Sequence, residues 1–254
     1  VKKSENELRL CGDYRPINVH VRNMPVQIPD IHAAIQALQG YQYFAELDLT
    51  TAFHQLPLDE ETQAKLAIST PYGVYMPNFL PEGISIGTSA LMAFMYATFS
   101  DMHFVTPIHD NILVAANTEE ELRERVEQVL IRCQETGIQL KIRKSGFGLK
   151  KLKFFGFIVE PGQYKIEESR VQEILDIPFP RNQKQVQKFL GVCTFISPFI
   201  PSYSDKFRHV FTMSHKDFSF DAATWGDVDY ILEWTKAKEH LQHVSTLYFP
   251  DRKH

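Results

Sequence analysis

The chain has 254 residues, 44% of them apolar, and a formal net charge of −4 at pH 7. This size allows one large domain or two or three small ones, and the apolar content excludes a globally disordered chain. No apolar run approaches the roughly 18 residues of a membrane-spanning helix, and no secretory signal opens the sequence. Because the first residues are typical of the inside of a strand, we expect a fragment of a longer protein.

The distribution of charge matters more than its sum. Between residues 141 and 153 there are six basic residues and no acid, whereas the acids concentrate in residues 46–61 and 119–127. This asymmetry fits a groove that follows a nucleic-acid backbone beside an acidic metal site. Ordinary solvated faces are the alternative.

The three cysteines, Cys11, Cys133 and Cys193, lie far apart in the sequence and show no metal-ligand spacing. We therefore expect free buried thiols, in a reducing intracellular setting.

The first elements in chain order are a helix and a strand. Asp30 and Gly40 can begin and end a helix over the apolar residues between them. Residues 43–49 predict a strand that reaches Asp48 at its end. Residues 89–99 then predict a helix that is buried, because little of its surface is polar.

A β-hairpin is predicted around His109-Asp110-Asn111, because apolar strands flank this short polar turn. Thr118 and Glu121 form a capping box for the helix behind the hairpin, and Gly137 can end that helix.

The remaining residues predict two strands, at residues 138–142 and 154–159, and then a linker marked by prolines. Helices follow at residues 182–195 and 230–243. Together, these elements predict an α+β fold with a separate helical part.

Two acids carry the chemical hypothesis. Asp48 ends a strand, and Asp110 lies at the tip of the predicted hairpin. Nucleotidyl transfer uses two divalent cations about 3.5–4 Å apart, and carboxylates on neighbouring strands can hold them. Taken singly, each acid is also explained by ordinary turn chemistry.

A colinear series of short motifs runs through nearly the whole chain. It resembles the motifs of reverse transcriptases from gypsy-class (Metaviridae-like) LTR retrotransposons. An unrelated α+β protein with a chance match is the alternative. The segments are Arg9–Asn18 (RLCGDYRPIN), Phe44–Gln55 (FAELDLTTAFHQ), Leu80–Ile84 (LPEGI), Ile108–Val114 (IHDNILV), Leu140–Phe147 (LKIRKSGF), Phe154–Gly156, Gln187–Gly191, Phe199–Pro201 and Phe249–Asp251.

The resemblance implies a right-hand polymerase fold, with an antiparallel palm sheet, fingers and a helical thumb. It implies N-terminally truncated fingers in residues 1–22 and 55–86 and a palm in residues 23–54 and 87–163. The thumb would occupy residues 164–215, and the start of a connection segment residues 216–254. The implied function is RNA-directed DNA synthesis within a retroelement polyprotein, in the cytoplasm, the nucleus or retroelement particles. A ribonuclease H domain would follow downstream.

The resemblance also implies a metal site. Asp48, Asp110 and the backbone carbonyl of Leu49 would bind two Mg²⁺ or Mn²⁺ ions. Asn111 stands where a third carboxylate is expected, and Lys144 would protonate the leaving pyrophosphate or hold the phosphates.

The same resemblance assigns a nucleotide site. Arg9, with Lys2 or Lys3, would pair with the triphosphate of an incoming dNTP. The ring of Phe53 would clash with a ribose 2′-hydroxyl and so select deoxynucleotides. Glu82 would lie near the incoming base pair.

Contacts with an RNA template and a DNA primer are implied further along the chain. Phe155, Gly156 and Phe157 would grip the primer end, and Lys184 and Lys188 would contact backbone phosphates. For these lysines, as for the basic residues of the nucleotide site, plain surface solvation is the alternative.

Several positions depart from the family pattern. Asn111 removes one negative charge beside the cations. Glu82 replaces an apolar or amide residue at a place where an unpaired carboxylate would repel the triphosphate. Ile108 replaces the hairpin tyrosine, and residues 87–89 replace an N-A-P motif. These departures leave two hypotheses open, an active polymerase and a catalytically inactive relative kept for nucleic-acid binding or a structural role.

Overall fold

A computed structural model of the chain describes residues 2–4, 7–8, 12–22, 31–242 and 247–248. By its internal contacts the chain divides into two compact units, residues 1–150 and residues 151–254. No helix within the described ranges is both long and apolar enough to cross a bilayer.

In the described part of the first unit, the helices and strands are β1 Lys2–Ser4, β2 Glu7–Leu8, α1 Arg15–Asn18, α2 Ile31–Ala37, β3 Tyr43–Asp48, α3 Glu60–Lys65, β4 Ile68–Thr70, β5 Gly73–Tyr75, α4 Gly87–Phe99, β6 Val105–Ile108, β7 Asn111–Ala116, α5 Glu119–Thr136 and β8 Gly146–Leu149. In the described part of the second unit, they are β9 Leu152–Phe154, β10 Phe157–Glu160, β11 Gln163–Ile166, α6 Glu168–Leu175, α7 Gln183–Phe195, α8 Tyr203–Lys206, α9 Arg208–Met213, α10 Tyr230–Gln242 and β12 Leu247–Tyr248. This mixture of helices and antiparallel strands confirms the predicted α+β class.

An antiparallel sheet with the strand order β6-β7-β3-β8 organises the first unit. Alternate residues of its central strands point to opposite faces. Ala45 and Leu47 of β3 join Ile112 and Val114 of β7 in one buried apolar cluster, to which α4 and α5 also contribute. The opposite face carries the polar residues Glu46 and Asp48, together with the buried side chains of Phe44 and Leu113. The strand predicted at residues 43–49 is therefore confirmed.

The hairpin between β6 and β7 has a two-residue turn, His109-Asp110, with His109 in the left-handed region at φ 50°. Ile108 pairs with Asn111 across the turn. The predicted hairpin is confirmed, but Asn111 is the first residue of β7 and not part of the turn. The side chain of Asn111 therefore projects from the backbone of a strand and not from the turn.

Both helices predicted next to the sheet are present. Helix α4 is buried along one side, as expected, and begins at Gly87, two positions before the predicted start. Helix α2 ends before Gly40, which has a φ of 87°. The predicted cap Asp30 lies outside the described residues.

The strand predicted at residues 138–142 is wrong. Leu140 makes one isolated bridge with Leu49, and the chain then turns through a 3₁₀ helix at Ile142–Lys144. The side-chain amide of Gln55 instead bonds the backbone of Gln139. Gln55 Oε1 accepts the N–H of Gln139, and Gln55 Nε2 donates to the Gln139 carbonyl, each at 2.9 Å. The Gln139 carbonyl also accepts the N–H of Thr50 at 2.9 Å, so a side chain and an isolated backbone bridge stand where a strand was predicted.

The single strand predicted at residues 154–159 is in fact a hairpin of β9 and β10. Phe155 and Gly156 form its two-residue turn, with positive φ values of 48° and 80°. Phe154 pairs with Phe157 across the turn. The turn was not predicted because the segment is almost continuously apolar, which is typical of a single strand.

An aromatic core holds the second unit together. Phe157 stacks on Phe199 with ring centroids 5.6 Å apart, and Phe189 lies 4.1 Å from Trp234 and 6.3 Å from Phe207. The helices predicted around residues 182–195 and 230–243 are confirmed as α7 and α10. Helices α6, α8 and α9 were not predicted.

The cysteine prediction is confirmed where the structure describes it. Cys133 and Cys193 are free and buried. Burial raises the pKa of their thiols to about 11 and about 12 respectively, so both remain protonated and unreactive at neutral pH. Cys11 lies outside the described residues.

The predicted N-cap of α5 is confirmed, and the Glu121 half of the predicted capping box bonds one residue before the cap. Thr118 Oγ1 accepts the N–H of Glu121 at 3.1 Å, and the Glu121 carboxylate accepts the N–H of Asn117 at 2.7 Å. Thr118→Ala should therefore lower the free energy of unfolding by about 1 kcal/mol, measured by urea denaturation. The control Glu127→Ala, on the exposed side of the same helix, should change it by less than about 0.5 kcal/mol. Equal losses in the two variants would contradict a role for the cap.

Candidate active site

The two candidate metal-binding acids lie side by side at one end of the central sheet. Asp48, the last residue of β3, pairs with Asn111 of β7, which directly follows Asp110. The backbone is fixed on both sides, because Leu49 N–H donates to the Asp110 carbonyl at 2.9 Å and Lys141 N–H to the Asp48 carbonyl at 2.7 Å. The sheet therefore brings together two acids that are far apart in the sequence.

Ser145 also holds Asp48 in place, although the sequence reasoning did not select it. Asp48 N–H donates to Ser145 Oγ at 3.2 Å, and that hydroxyl can donate to the Lys141 carbonyl at the same distance. Its position directly after Lys144 was the available signal. Lys144 itself is exposed, in the 3₁₀ helix that leads to Ser145.

Glu46 is a second residue that the sequence reasoning missed. It lies two positions before Asp48 and so on the same face of β3, half-buried. Its carboxylate accepts the side-chain amide of Asn111 at 3.2 Å. Burial, and then the negative charges of Asp48 and Asp110, raise the pKa of Glu46 above its ordinary value.

Phe53 lies in the 3₁₀ helix Ala52–Gln55, just after β3. Its ring packs closely on the start of α4, where a Cβ added at Gly87 would lie 3.4 Å from the ring. Leu49 is buried, so only its backbone carbonyl could contact a ligand, as the resemblance implies. Glu82 is exposed.

The structure describes no side-chain position for three of the predicted phosphate-binding residues. Arg9 lies outside the described residues. Lys2 and Lys3 belong to β1, but their side chains are not described.

In the second unit, the predicted primer-binding residues differ in exposure. Phe155 is exposed at the β9–β10 turn, next to Gly156. The expectation for the side chain of Phe157 needs correction, because it is only 1% exposed and packs in the aromatic core. Lys184 and Lys188 are exposed on α7, one helical turn apart.

The basic segment is partly neutralised by ion pairs. Lys151 lies 3.5 Å from Glu160, and Lys153 lies 2.6 Å from Glu167. The other four basic residues of the segment, which belong to the first unit, are exposed: Lys141, Arg143, Lys144 and Lys150.

The donor atoms at the sheet end fit a hard divalent cation. The carboxylates of Asp48 and Asp110 supply charged oxygen, and the side chain of Asn111 supplies a neutral one. Within the described ranges, no group of three or more His, Cys, Asp or Glu side chains forms a ready-made metal site. Such a site would thus be completed by a carbonyl, an amide, water or substrate oxygens.

The fold is found in solved polymerase structures. The chain is similar to a foamy viral protease–reverse transcriptase in complex with double-stranded DNA, with a TM-score of 0.86 and 19% identity over all of this chain and 44% of that one. A foamy viral enzyme in complex with an RNA/DNA hybrid gives a TM-score of 0.78 and 19% identity, covering 95% of this chain and 33% of that one. The predicted right-hand polymerase fold is therefore confirmed.

Sequence comparison defines the family more narrowly. Residues 1–159 match the family described as reverse transcriptase (RNA-dependent DNA polymerase). The chain belongs to this reverse transcriptase family.

The relatives are polyproteins of mobile elements. The chain is 27% identical over 219 residues to the transposon Tf2-7 polyprotein of Schizosaccharomyces pombe, covering 85% of this chain. It is also 27% identical over 249 residues to the retrovirus-related Pol polyprotein from transposon 297 of Drosophila melanogaster, covering 97% of this chain. It spans only 16% and 23% of the length of these two polyproteins.

The raised pKa of Glu46 gives a prediction about stability. A raised carboxyl pKa means that folding favours the protonated form, so stability is lost as the pH rises through the folded-state pKa. In EDTA, Glu46→Gln should therefore raise the melting temperature at pH 7. This gain should shrink as the pH falls below the ordinary glutamate pKa of about 4.3.

Thermal denaturation from pH 3.5 to pH 8 measures the effect. Glu124→Gln, at an exposed position of α5, is the matched control and should give little change at any pH. A gain for Glu46→Gln that is the same at every pH would show that its cause is not the carboxylate charge.

Proposed function

We propose that this chain is the polymerase domain of a retroelement polyprotein and extends a DNA primer on an RNA template. The adjacency of Asp48 and Asp110 at the end of the sheet carries this proposal. Each acid alone is explained by turn chemistry, but their backbones are joined by the hydrogen bonds between β3 and β7.

The finer assignments rest on the family resemblance and belong to the same proposal. Fingers would comprise residues 1–22 and 55–86, and the palm residues 23–54 and 87–163. The thumb would comprise residues 164–215, followed by the start of a connection segment. The greater length of the related polyproteins is consistent with a downstream ribonuclease H domain. This chain would act inside the cell, in the cytoplasm or nucleus, or within retroelement particles.

The proposed chemistry is two-metal nucleotidyl transfer, with Mg²⁺ or Mn²⁺. When bound, the cations would activate the primer 3′-hydroxyl and neutralise charge on the leaving pyrophosphate. Asp48, Asp110 and the carbonyl of Leu49 would hold them, and Lys144 would donate a proton to, or bind, the pyrophosphate oxygens.

Other residues would position the substrates. Arg9, with Lys2 or Lys3, would bind the dNTP triphosphate, and Glu82 would lie close to the incoming base pair. Phe53 would exclude ribonucleotides. The exposed Phe155-Gly156 turn would support the primer end.

Contacts with the nucleic-acid backbone would come from α7, where Lys184 and Lys188 lie on one exposed face. The structural neighbours in complex with double-stranded DNA and an RNA/DNA hybrid are consistent with such partners.

A second candidate function is nucleic-acid binding without catalysis. Asn111 favours it, because the metal site has one carboxylate fewer than the family pattern predicts.

Primer extension on an RNA template, with Mg²⁺ or Mn²⁺, separates the two candidates. We expect the wild type to extend the primer and Asp110→Asn to lose on the order of 100-fold or more in rate, because one charged ligand is removed. Glu124→Gln should extend as the wild type does. Should the wild type extend no better than Asp110→Asn while both bind the primer–template, the non-catalytic function would stand instead.

Phe53 gives a prediction about sugar selection. Phe53→Ala should raise ribonucleotide incorporation relative to deoxynucleotide incorporation by about 10-fold or more, because the ring that blocks the 2′-hydroxyl is removed. Single-nucleotide incorporation kinetics measure this ratio. Phe79→Ala, which removes an exposed ring in the same unit, should leave the ratio unchanged. An unchanged ratio in Phe53→Ala would remove Phe53 from the nucleotide site.

A further inference from the structure

Glu46 and Asn111 form a pair across the two strands that carry the candidate metal-binding acids. In the register of β3 and β7, Asp48 is opposite Asn111 and Glu46 is opposite Leu113, so all four side chains share one face of the sheet. The amide nitrogen of Asn111 donates to Glu46 along the diagonal, at 3.2 Å.

This hydrogen bond determines how the amide of Asn111 is oriented. An ionised carboxylate can only accept hydrogen bonds, so the nitrogen of the amide, and not its oxygen, must face Glu46. The oxygen of Asn111 is consequently turned away from Glu46. A free asparagine at the end of a strand could present either atom to a cation.

The surroundings of Glu46 disfavour its ionised carboxylate, which is unexpected for an acid with only a structural role. It is half-buried opposite the fully buried Leu113, on the face of β3 that also carries Asp48. Within the described part of the chain, no lysine, arginine or histidine forms an ion pair with Glu46. A half-buried carboxylate without a cationic partner is relieved when a divalent cation binds nearby.

The charges of the two positions are also complementary. The family pattern predicts a second aspartate at position 111, and here that charge is missing. Glu46 supplies one negative charge on the same face, beside Asn111. An aspartate at position 111 would instead place two carboxylates in contact, which is unfavourable.

We propose that Glu46 is a positioning residue for the metal site, which orients the amide oxygen of Asn111 and replaces the charge of the missing aspartate. This inference rests on the proposed function only in taking Asp48 and Asp110 as cation ligands. It makes Asn111 one half of a compensated pair, and not merely a lost ligand.

The test is a double-mutant cycle of wild type, Glu46→Gln, Asn111→Asp and the double variant, read by Mn²⁺ binding without nucleic acid. Paramagnetic resonance of free Mn²⁺ measures the affinity. Glu46→Gln should weaken binding on the order of 10-fold, because partners of metal ligands typically contribute that much. Asn111→Asp alone should not tighten binding. The double variant should return to within about threefold of wild type, because one acid is then present at the pair.

The outcomes separate a metal-positioning role from a structural one. Unchanged Mn²⁺ affinity in Glu46→Gln, additive effects in the cycle, or no Mn²⁺ binding by the wild type would each overturn the proposal. Glu124→Gln is the matched control, and melting temperatures in EDTA show that each variant is folded. Should Glu46→Gln not fold, Glu46→Ala, in the wild-type and Asn111→Asp backgrounds, completes the same cycle.

Primer extension by the same variants separates this proposal from the proposed function. Mn²⁺ binding that depends on Glu46, in a wild type that does not extend primers, would support the pair and refute polymerase activity. Extension by a wild type whose Mn²⁺ affinity is unaffected by Glu46→Gln would support the activity and refute the pair.

Discussion

Backbone hydrogen bonds between β3 and β7 hold Asp48 beside Asn111 and tie Leu49 to Asp110. The rest of the candidate site depends on this register. A slip by one residue would turn the acids of β3 into the apolar cluster and bring Leu47 to the face that now carries these acids. The burial of Ala45 and Leu47, with their partners on β7, therefore favours the observed register, in which Asp48 lies beside Asn111.

Features that depend on neighbouring residues could be predicted from the sequence. The strand-like run at residues 43–49 predicted β3, and Thr118 with Glu121 predicted the start of α5, because these signals lie within a few residues of the structures they specify. The hairpin that carries Asp110 was predicted for the same reason. The motif series added the family and the polymerase fold, which the elements alone could not supply.

Features that depend on distant residues could not be predicted. Residues 138–142 look like a strand, but Gln139 is bonded by Gln55, 84 positions away. In the sequence, Glu46 has no feature that distinguishes it from other strand residues. Its hydrogen bond with Asn111, 65 positions later, is visible only in the structure. Phe157 belongs to a predicted primer-binding motif, yet its ring stacks on Phe199, far away in the sequence, and is buried in the aromatic core. The roles proposed for the site residues remain predictions.

The ion pairs of Lys151 and Lys153 bear on how strongly salt would affect nucleic-acid binding. Each phosphate neutralised by a free basic residue releases counterions, and the affinity falls as the salt concentration rises. A lysine that is already paired with Glu160 or Glu167 must first exchange one anion for another, so it contributes less to this dependence. The six charges between residues 141 and 153 therefore overstate the number of counterions that this segment can displace. Its interaction with a nucleic acid would tolerate salt better than its composition suggests.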